Sequence, residues 1–198
     1  MHGPVDLQPI TLRGAHAELV PLEPEHAPAL WRAGADPEIW RWMPFAIHSG
    51  AEMVTFVARI LDMQARGQTL PFAIFATDEP EPIGSTSYLA ADAQHKRIEI
   101  GATWLSARWQ RTAINTECKY LLLRHAFEML GCMRVEFKTD ANNARSRTAL
   151  RRIGATEEGT LRRHMLLSDG RVRDSVYYSV LDVEWPAVEQ RLRTMLDR

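Results

Sequence analysis

One stretch of the chain combines residue types and spacing suited to chemistry: Trp104-Leu105-Ser106-Ala107-Arg108-Trp109-Gln110-Arg111-Thr112-Ala113-Ile114-Asn115-Thr116-Glu117. An alternating segment ends there, small and polar residues follow, and an amphipathic helical pattern begins. The first N–H groups of a helix have no partner inside it and lie at the positive end of its dipole. A loop that leads straight into such a terminus can cradle a diphosphate, and Arg108 and Arg111 add positive charge beside it. Many strand-to-helix loops share this outline, so the outline alone assigns no ligand.

Other chemistry-bearing residues are less organised. The seven histidines show no metal-ligand spacing, and His125 reads as structural. Cys118 and Cys132 fall inside and just after an apolar helical run, as reduced core residues do. Arg145, Arg147, Arg151 and Arg152 read as a solvated helix face. Trp40, Trp42, Met43 and Phe45 form a denser aromatic cluster than a short helix needs for packing.

The elements that must position these residues follow from periodicity. Residues 10–22 predict a strand or a bent pair, and Pro24 to Arg32 a short helix opened by proline and acids. Asp36-Pro37-Glu38 predicts a second short helix through Met43, stopped by Pro44. Ser49 with Glu52 forms a capping box for a longer helix that Gly67 ends. Strands are expected at 70–76, 82–89 and 96–105, the last alternating Ile98, Ile100, Ala102 and Trp104 against Arg97, Glu99, Gly101 and Thr103. The longest helix is expected at about 115–130, with Met129 and Leu130 on its apolar stripe. A strand over 134–138 and a helix over 144–153 follow. Strands at about 158–167 and 171–181 are joined at Ser168-Asp169-Gly170, and a last helix covers 184–196. The order is mixed α/β and does not repeat the strand–helix unit of a doubly wound sheet.

Composition bounds the function. The chain has 198 residues, 45% hydrophobic and 25% charged, which suits one globular domain over 1–198 with a loose tail at 1–9. Formal net charge is -1, not the basic footprint of a nucleic-acid binder. Only three of the 24 basic residues are lysines: Lys96, Lys119 and Lys138. No apolar run is long enough to span a membrane and no export signal opens the chain, so the cytoplasm is the expected compartment.

Gln110-x-x-Ala113-x-Asn115 resembles the acyl-CoA pyrophosphate loop of the GNAT N-acetyltransferase superfamily, in which Gln or Arg precedes two residues, Gly, one residue, then Gly or Ala. Ala113 and Asn115 depart from that pattern, and a required positive φ at Ala113 would be unfavourable. Thr116-Glu117 looks like the RimJ/RimL-type subgroup. So do Asn143-Ala144-Arg145-Ser146 with Leu150 and Ile153-Gly154-Ala155, and Asp174, Tyr178, Leu181 and Glu184-Trp185 downstream. The resemblance runs from about residue 10 to 195 in the family's order of elements.

The resemblance implies a mixed, mostly antiparallel central sheet of about seven strands with flanking helices. It implies acetyl-CoA as co-substrate without a metal, and direct transfer to a primary amine of a protein N-terminus or small molecule. A homodimer is compatible with it. Binding of CoA would fall to the backbone of Trp104 and Leu105, to Gln110, Arg111, Thr112, Ala113, Ile114, Asn115 and Thr116, and to Asn143 and Ser146. Glu99 stands where some members keep a catalytic glutamate; the alternative is a solvated strand residue paired with Arg97, Lys96 or a neighbour. Leu150 occupies the place of the tyrosine that many members use to protonate the thiolate, which leaves Ser146 as the candidate acid. Trp42, Tyr88 and Trp104 would wall the acceptor pocket. Two rivals remain: a bulkier donor such as succinyl-CoA, and a CoA-binding module without catalysis.

Overall fold

The computed structural model describes residues 7–167 and 169–197. The first segment bends at Gly14, giving β1 (Leu12–Arg13) and β2 (Ala17–Pro21). Then come α1 (Ala27–Ala33), α2 (Gly50–Ala65), β3 (Thr69–Ala76), β4 (Gly84–Asp92) and β5 (Arg97–Leu105). After them follow α3 (Ala113–Arg124), β6 (Arg134–Asp140), α4 (Ala144–Ile153), β7 (Thr156–Leu166), β8 (Val172–Leu181) and α5 (Trp185–Leu196). The eight strands form one sheet in the order β1-β2-β3-β4-β5-β6-β8-β7. Every neighbouring pair is antiparallel except β5 and β6, so the expected mixed, mostly antiparallel architecture is present with one more short strand than expected.

Alternation along the strands feeds two cores. Leu19, Phe72, Tyr88, Ile98, Ile100 and Val176 point to the face covered by α3 and α5. Ala73 and Trp104 join Leu30, Trp40, Met53 and Phe56 on the face covered by α1 and α2. α3 lies within the first core with nine of its residues buried, including Glu117 and Lys119.

Several expectations are corrected. The run at 115–130 is α3 followed by a single π-helical turn, His125–Met129. The wider turn rotates Met129 out of the apolar stripe, leaving it 75% exposed, and the longest α-helix is α2. The second short helix is only a 3-10 turn, Pro37–Ile39, whose Glu38 N–H is capped by Asp36, because Pro44 cuts off any continuation. Glu99, for which a solvated strand position was the alternative to a catalytic one, is buried, because β5 is covered on both faces. The β7–β8 turn keeps Gly170 at φ 82, as an Asp-Gly hairpin predicts, with Ser168 outside the described residues. The tail expected at 1–9 lies outside them up to residue 6. No helix among the described residues is long and apolar enough to cross a membrane.

Candidate functional site

The sheet splits at its one parallel contact. β5 and β6 pair only at Arg97↔Arg134, Ile98↔Val135 and Glu99↔Glu136. Beyond Glu99, β5 stays paired to β4 as far as Leu105↔Gly84, while β6 stays paired to β8 as far as Asp140↔Ser175. The cause is local. Between Ser85↔Trp104 and Ser87↔Gly101, two residues of β5, Ala102 and Thr103, stand against Thr86 alone. This bulge, with Ala102 at φ 50, bends β5 away from its parallel neighbour. A Cβ on Gly84 would lie 2.2 Å from the Trp104 carbonyl oxygen, so glycine is what lets β4 close up against the bent strand.

The wide end of the split meets the loop singled out in the sequence. A 3-10 turn at Ala107–Trp109 leads to extended Gln110, left-handed Arg111 (φ 64) and the helix cap Thr112. Gln110 braces the loop: its Nε2 donates to the Leu105 carbonyl at 3.0 Å, and its Oε1 accepts from Arg145 Nη1 at 2.6 Å. The Thr112 hydroxyl donates to the Trp109 carbonyl and accepts from Ile114 N–H. The N–H groups of Ala113 and Asn115, lacking partners one turn back, are left for a ligand. Arg111 makes no ion pair among the described residues, and it is exposed beside them.

The remaining sequence-predicted residues divide. Asn143 caps α4, its Oδ1 accepting from Ser146 N–H at 3.0 Å, so Ser146 contributes its backbone to the cap while its half-buried side chain does not serve as one. Ile114 faces the core and Thr116 is buried, its hydroxyl accepting from Arg152 Nη2 at 3.0 Å. Leu150 is buried. Glu99 is neither solvated nor paired with Lys96 or Arg97: its Oε2 lies 2.7 Å from Lys138 Nζ. Trp104 packs on Trp40 with ring centres 5.0 Å apart, and half-buried Trp42 lies on the same side, its ring 5.4 Å from the Arg171 guanidinium.

Tyr88 does not join them. It is fully buried on the α3 face, its hydroxyl donating to the Leu122 carbonyl at 2.5 Å and lying 3.3 Å from His125 Nδ1. Desolvation raises the Tyr88 phenol well above its ordinary value and lowers His125, which fits core residues rather than a pocket wall.

Sequence reasoning passed over Lys119, whose Nζ donates to Thr103 Oγ1 at 2.8 Å just at the bulge. Burial lowers its proton affinity to about 8. Lys138, Arg171 and Arg173, which surround Glu99 and Asp140, were passed over too. A signal existed for Lys119, a charged residue between Cys118 and the apolar run Tyr120–Leu123 of the helix. For the others only the β6–β8 pairing brings the charges together.

Residues 16–156 match the family of acetyltransferase (GNAT) domains. The chain belongs to the GNAT family. YdaF of Bacillus subtilis (strain 168), named as a candidate ribosomal N-acetyltransferase, is 34% identical over 102 residues. That match takes in 52% of this chain and 55% of YdaF, so the chain spans about half the length of this curated relative. A candidate acetyltransferase of known structure from T. thermophilus is 38% identical, covers 96% of this chain and 98% of its own, and superposes with a TM-score of 0.86. RimJ of Mycobacterium smegmatis, solved with CoA-disulfide, shares the fold at 23% identity, with 98% and 97% of the two chains covered and a TM-score of 0.81.

GNAT proteins use acyl-CoA, and this loop fits one. Ala113 and Asn115, which depart from the family pattern, are both helical, so neither needs the positive φ that glycine would supply. That conformation falls on Arg111 instead. Glu117 in the first turns of α3 is buried and consumed by backbone N–H groups, and Glu79 is paired with Arg108 of the loop at 3.2 Å. Among the described residues no group of three or more His, Cys, Asp or Glu could hold a metal ion.

Proposed function

We propose that this GNAT protein is an acetyl-CoA-dependent N-acetyltransferase whose acceptor is the amino terminus of a protein. The observation that carries the reading is the parting of β5 from β6 after Glu99, in line with the N-terminus of α3. The diphosphate would lie on the N–H groups of Ala113 and Asn115, with Arg111 and Arg145 alongside. The pantetheine would run along the unpaired edge of β5 by Leu105, whose N–H can polarise the acyl carbonyl. Glu99, on the opposite face, would take the proton of the attacking amine. Half-buried Ser146 is the group near α4 that could return a proton to the thiolate. The relatives support a protein acceptor: YdaF is named for ribosomal N-acetylation, and the shared fold with RimJ agrees.

One observation favours a binding module without catalysis: Leu150 offers no proton donor. Thiol release from acetyl-CoA with a peptide amine separates the two readings. The binding half is tested by Ala113→Asp. An acid in the first turn of α3 favours the helix, so the fold should hold. The same charge faces the diphosphate, and calorimetric titration should show acetyl-CoA affinity falling about tenfold or more. Equal affinity in wild type and variant would remove the assignment.

A further inference from the structure

The face of the sheet opposite α3 carries, beside Glu99, ions that the transfer reaction does not use. Strand alternation places Glu99 of β5, Lys138 and Asp140 of β6, and Arg173, Ser175 and Tyr177 of β8 on this one face. Arg171, from the start of β8, reaches Asp140 with Nη1 to Oδ2 at 2.6 Å. It also lines a cavity of about 360 Å³ whose other walls include Trp40, Met43, Phe45 and Leu167.

Two independent observations call for a ligand here. The first is charge. Lys138 takes Glu99 and Arg171 takes Asp140, so Arg173 has no carboxylate of its own although it is only 6% exposed. The second is hydrogen bonding. Arg171 Nη2 and Arg173 Nε are buried donors that meet no acceptor among the described residues. Buried polar groups are almost always satisfied, and a guanidinium fork is matched best by a carboxylate. Asp169 lines the same cavity but is turned to the Arg171 backbone, its Oδ1 accepting that N–H at 2.9 Å, so a further carboxylate is what would accept from the idle guanidinium groups. The cavity opens between the loop carrying Trp42 and the β7–β8 hairpin, on the same side as Glu99. An acceptor lying across this face would therefore point its amine toward the split and its acid toward the hairpin.

We propose that Arg171 and Arg173 form a carboxylate subsite selecting protein N-termini that carry an aspartate or glutamate close to the amine being acetylated. The inference rests on the acetyltransferase reading, with the acceptor's acid as the added element. Trp40, Met43 and Phe45 pack against the apolar part of the same segment.

The test compares two peptides that begin Ser-Asp-Ala-Ala and Ser-Asn-Ala-Ala, followed by thiol release and by calorimetric binding to the CoA-saturated protein. A charge-assisted pair predicts a preference for the aspartyl peptide of about ten- to a hundredfold in kcat/KM, carried mainly by KM. Arg171→Met and Arg173→Met should each bring the ratio of the two peptides close to one. Arg173 is buried, so its variant can lose the fold; the wild-type ratio and the Arg171→Met variant do not depend on it. Equal handling of both peptides by wild type, or a preference that survives in folded Arg171→Met, overturns the subsite. Turnover confined to small carboxylate-bearing amines overturns the peptide acceptor. Absence of thiol release with every amine counts against the acetyltransferase reading instead, and the binding ratio then decides the subsite by itself.

Discussion

The two faces of the sheet treat their buried ions in opposite ways. On the α3 face every one is satisfied inside the chain. Glu117 accepts the N–H groups of Ala15, His16 and Ala17 at 2.9, 2.6 and 2.6 Å, and Lys119 donates to Thr103. On the α1–α2 face, Glu99 and Asp140 are paired, yet guanidinium donors of Arg171 and Arg173 are left over. The α3 face thus acts as a frame, offering a ligand the backbone of a helix start and of a bent strand. The other face offers side chains. Shared co-substrate chemistry suits the first arrangement, since backbone groups hold position regardless of sequence. Acceptor selection suits the second.

The largest test of the frame is Glu117. Its carboxylate ties α3 to the β1–β2 turn, so tightly that a Cβ on Gly14 would sit 2.3 Å from the Glu117 carboxyl carbon. Glu117→Ala leaves three N–H groups without an acceptor. Urea unfolding should show a loss of about 3–5 kcal/mol, with Glu117→Gln costing less because one acceptor oxygen remains. A loss below about 1 kcal/mol would mean that the α3 face is not held by its buried charge.

Glu99 tests the opposite face through rate. Glu99→Gln keeps the size of the side chain while removing the proton acceptor and the counter-charge of Lys138. General-base assistance predicts a fall in kcat of about a hundredfold at neutral pH, with acetyl-CoA affinity nearly unchanged. Activity should recover as pH rises and the amine becomes neutral unaided. A fall below about threefold would make the Glu99–Lys138 pair a structural tie, and the two faces would then differ less than their hydrogen bonds suggest.

How much of this was legible follows the same division. The cap Ser49 of α2, the helix over Ala144–Ile153 and the alternation of the strands are local, and local pattern located them. The split was reachable only through the family resemblance, because it depends on β5 meeting β6, which lies beyond α3 in sequence, and parting from it after Glu99↔Glu136 at a bulge against β4. Tyr88 shows the limit. A polar aromatic in a strand has no local mark telling a pocket wall from a core residue, and only the packing of α3 over β4 decides it. Arg171 and Arg173 were invisible for a related reason: their neighbours Asp140 and Glu99 come from β6 and β5. Glu117 and Lys119 are visible in the sequence as charges in the helix, but neither their burial nor their partners are.

Lys119 gives the smallest expected effect and asks whether the α3 face holds a buried cation beside the split. Burial brings its amine to about 8, against about 10.4 for a lysine in an unfolded chain. Between those values the unfolded chain binds a proton that the folded protein does not, so stability rises with pH across this window. Cys118 opposes the trend at higher pH. Burial pushes its thiol to about 12, so the folded protein keeps a proton that the unfolded chain gives up above about 8.5. Comparing wild type with Lys119→Met cancels the thiol, which both proteins carry. From pH 7 to pH 9 wild type should gain about 1 kcal/mol of unfolding free energy relative to the variant. That gain would mean that the amine below the bulge is largely neutral at alkaline pH and that Thr103 is bonded to a dipole rather than to an ammonium. A flat difference would mean that Lys119 keeps its charge throughout. The frame would then hold a cation beside the split, and the contrast with the arginine face would be one of pairing rather than of charge.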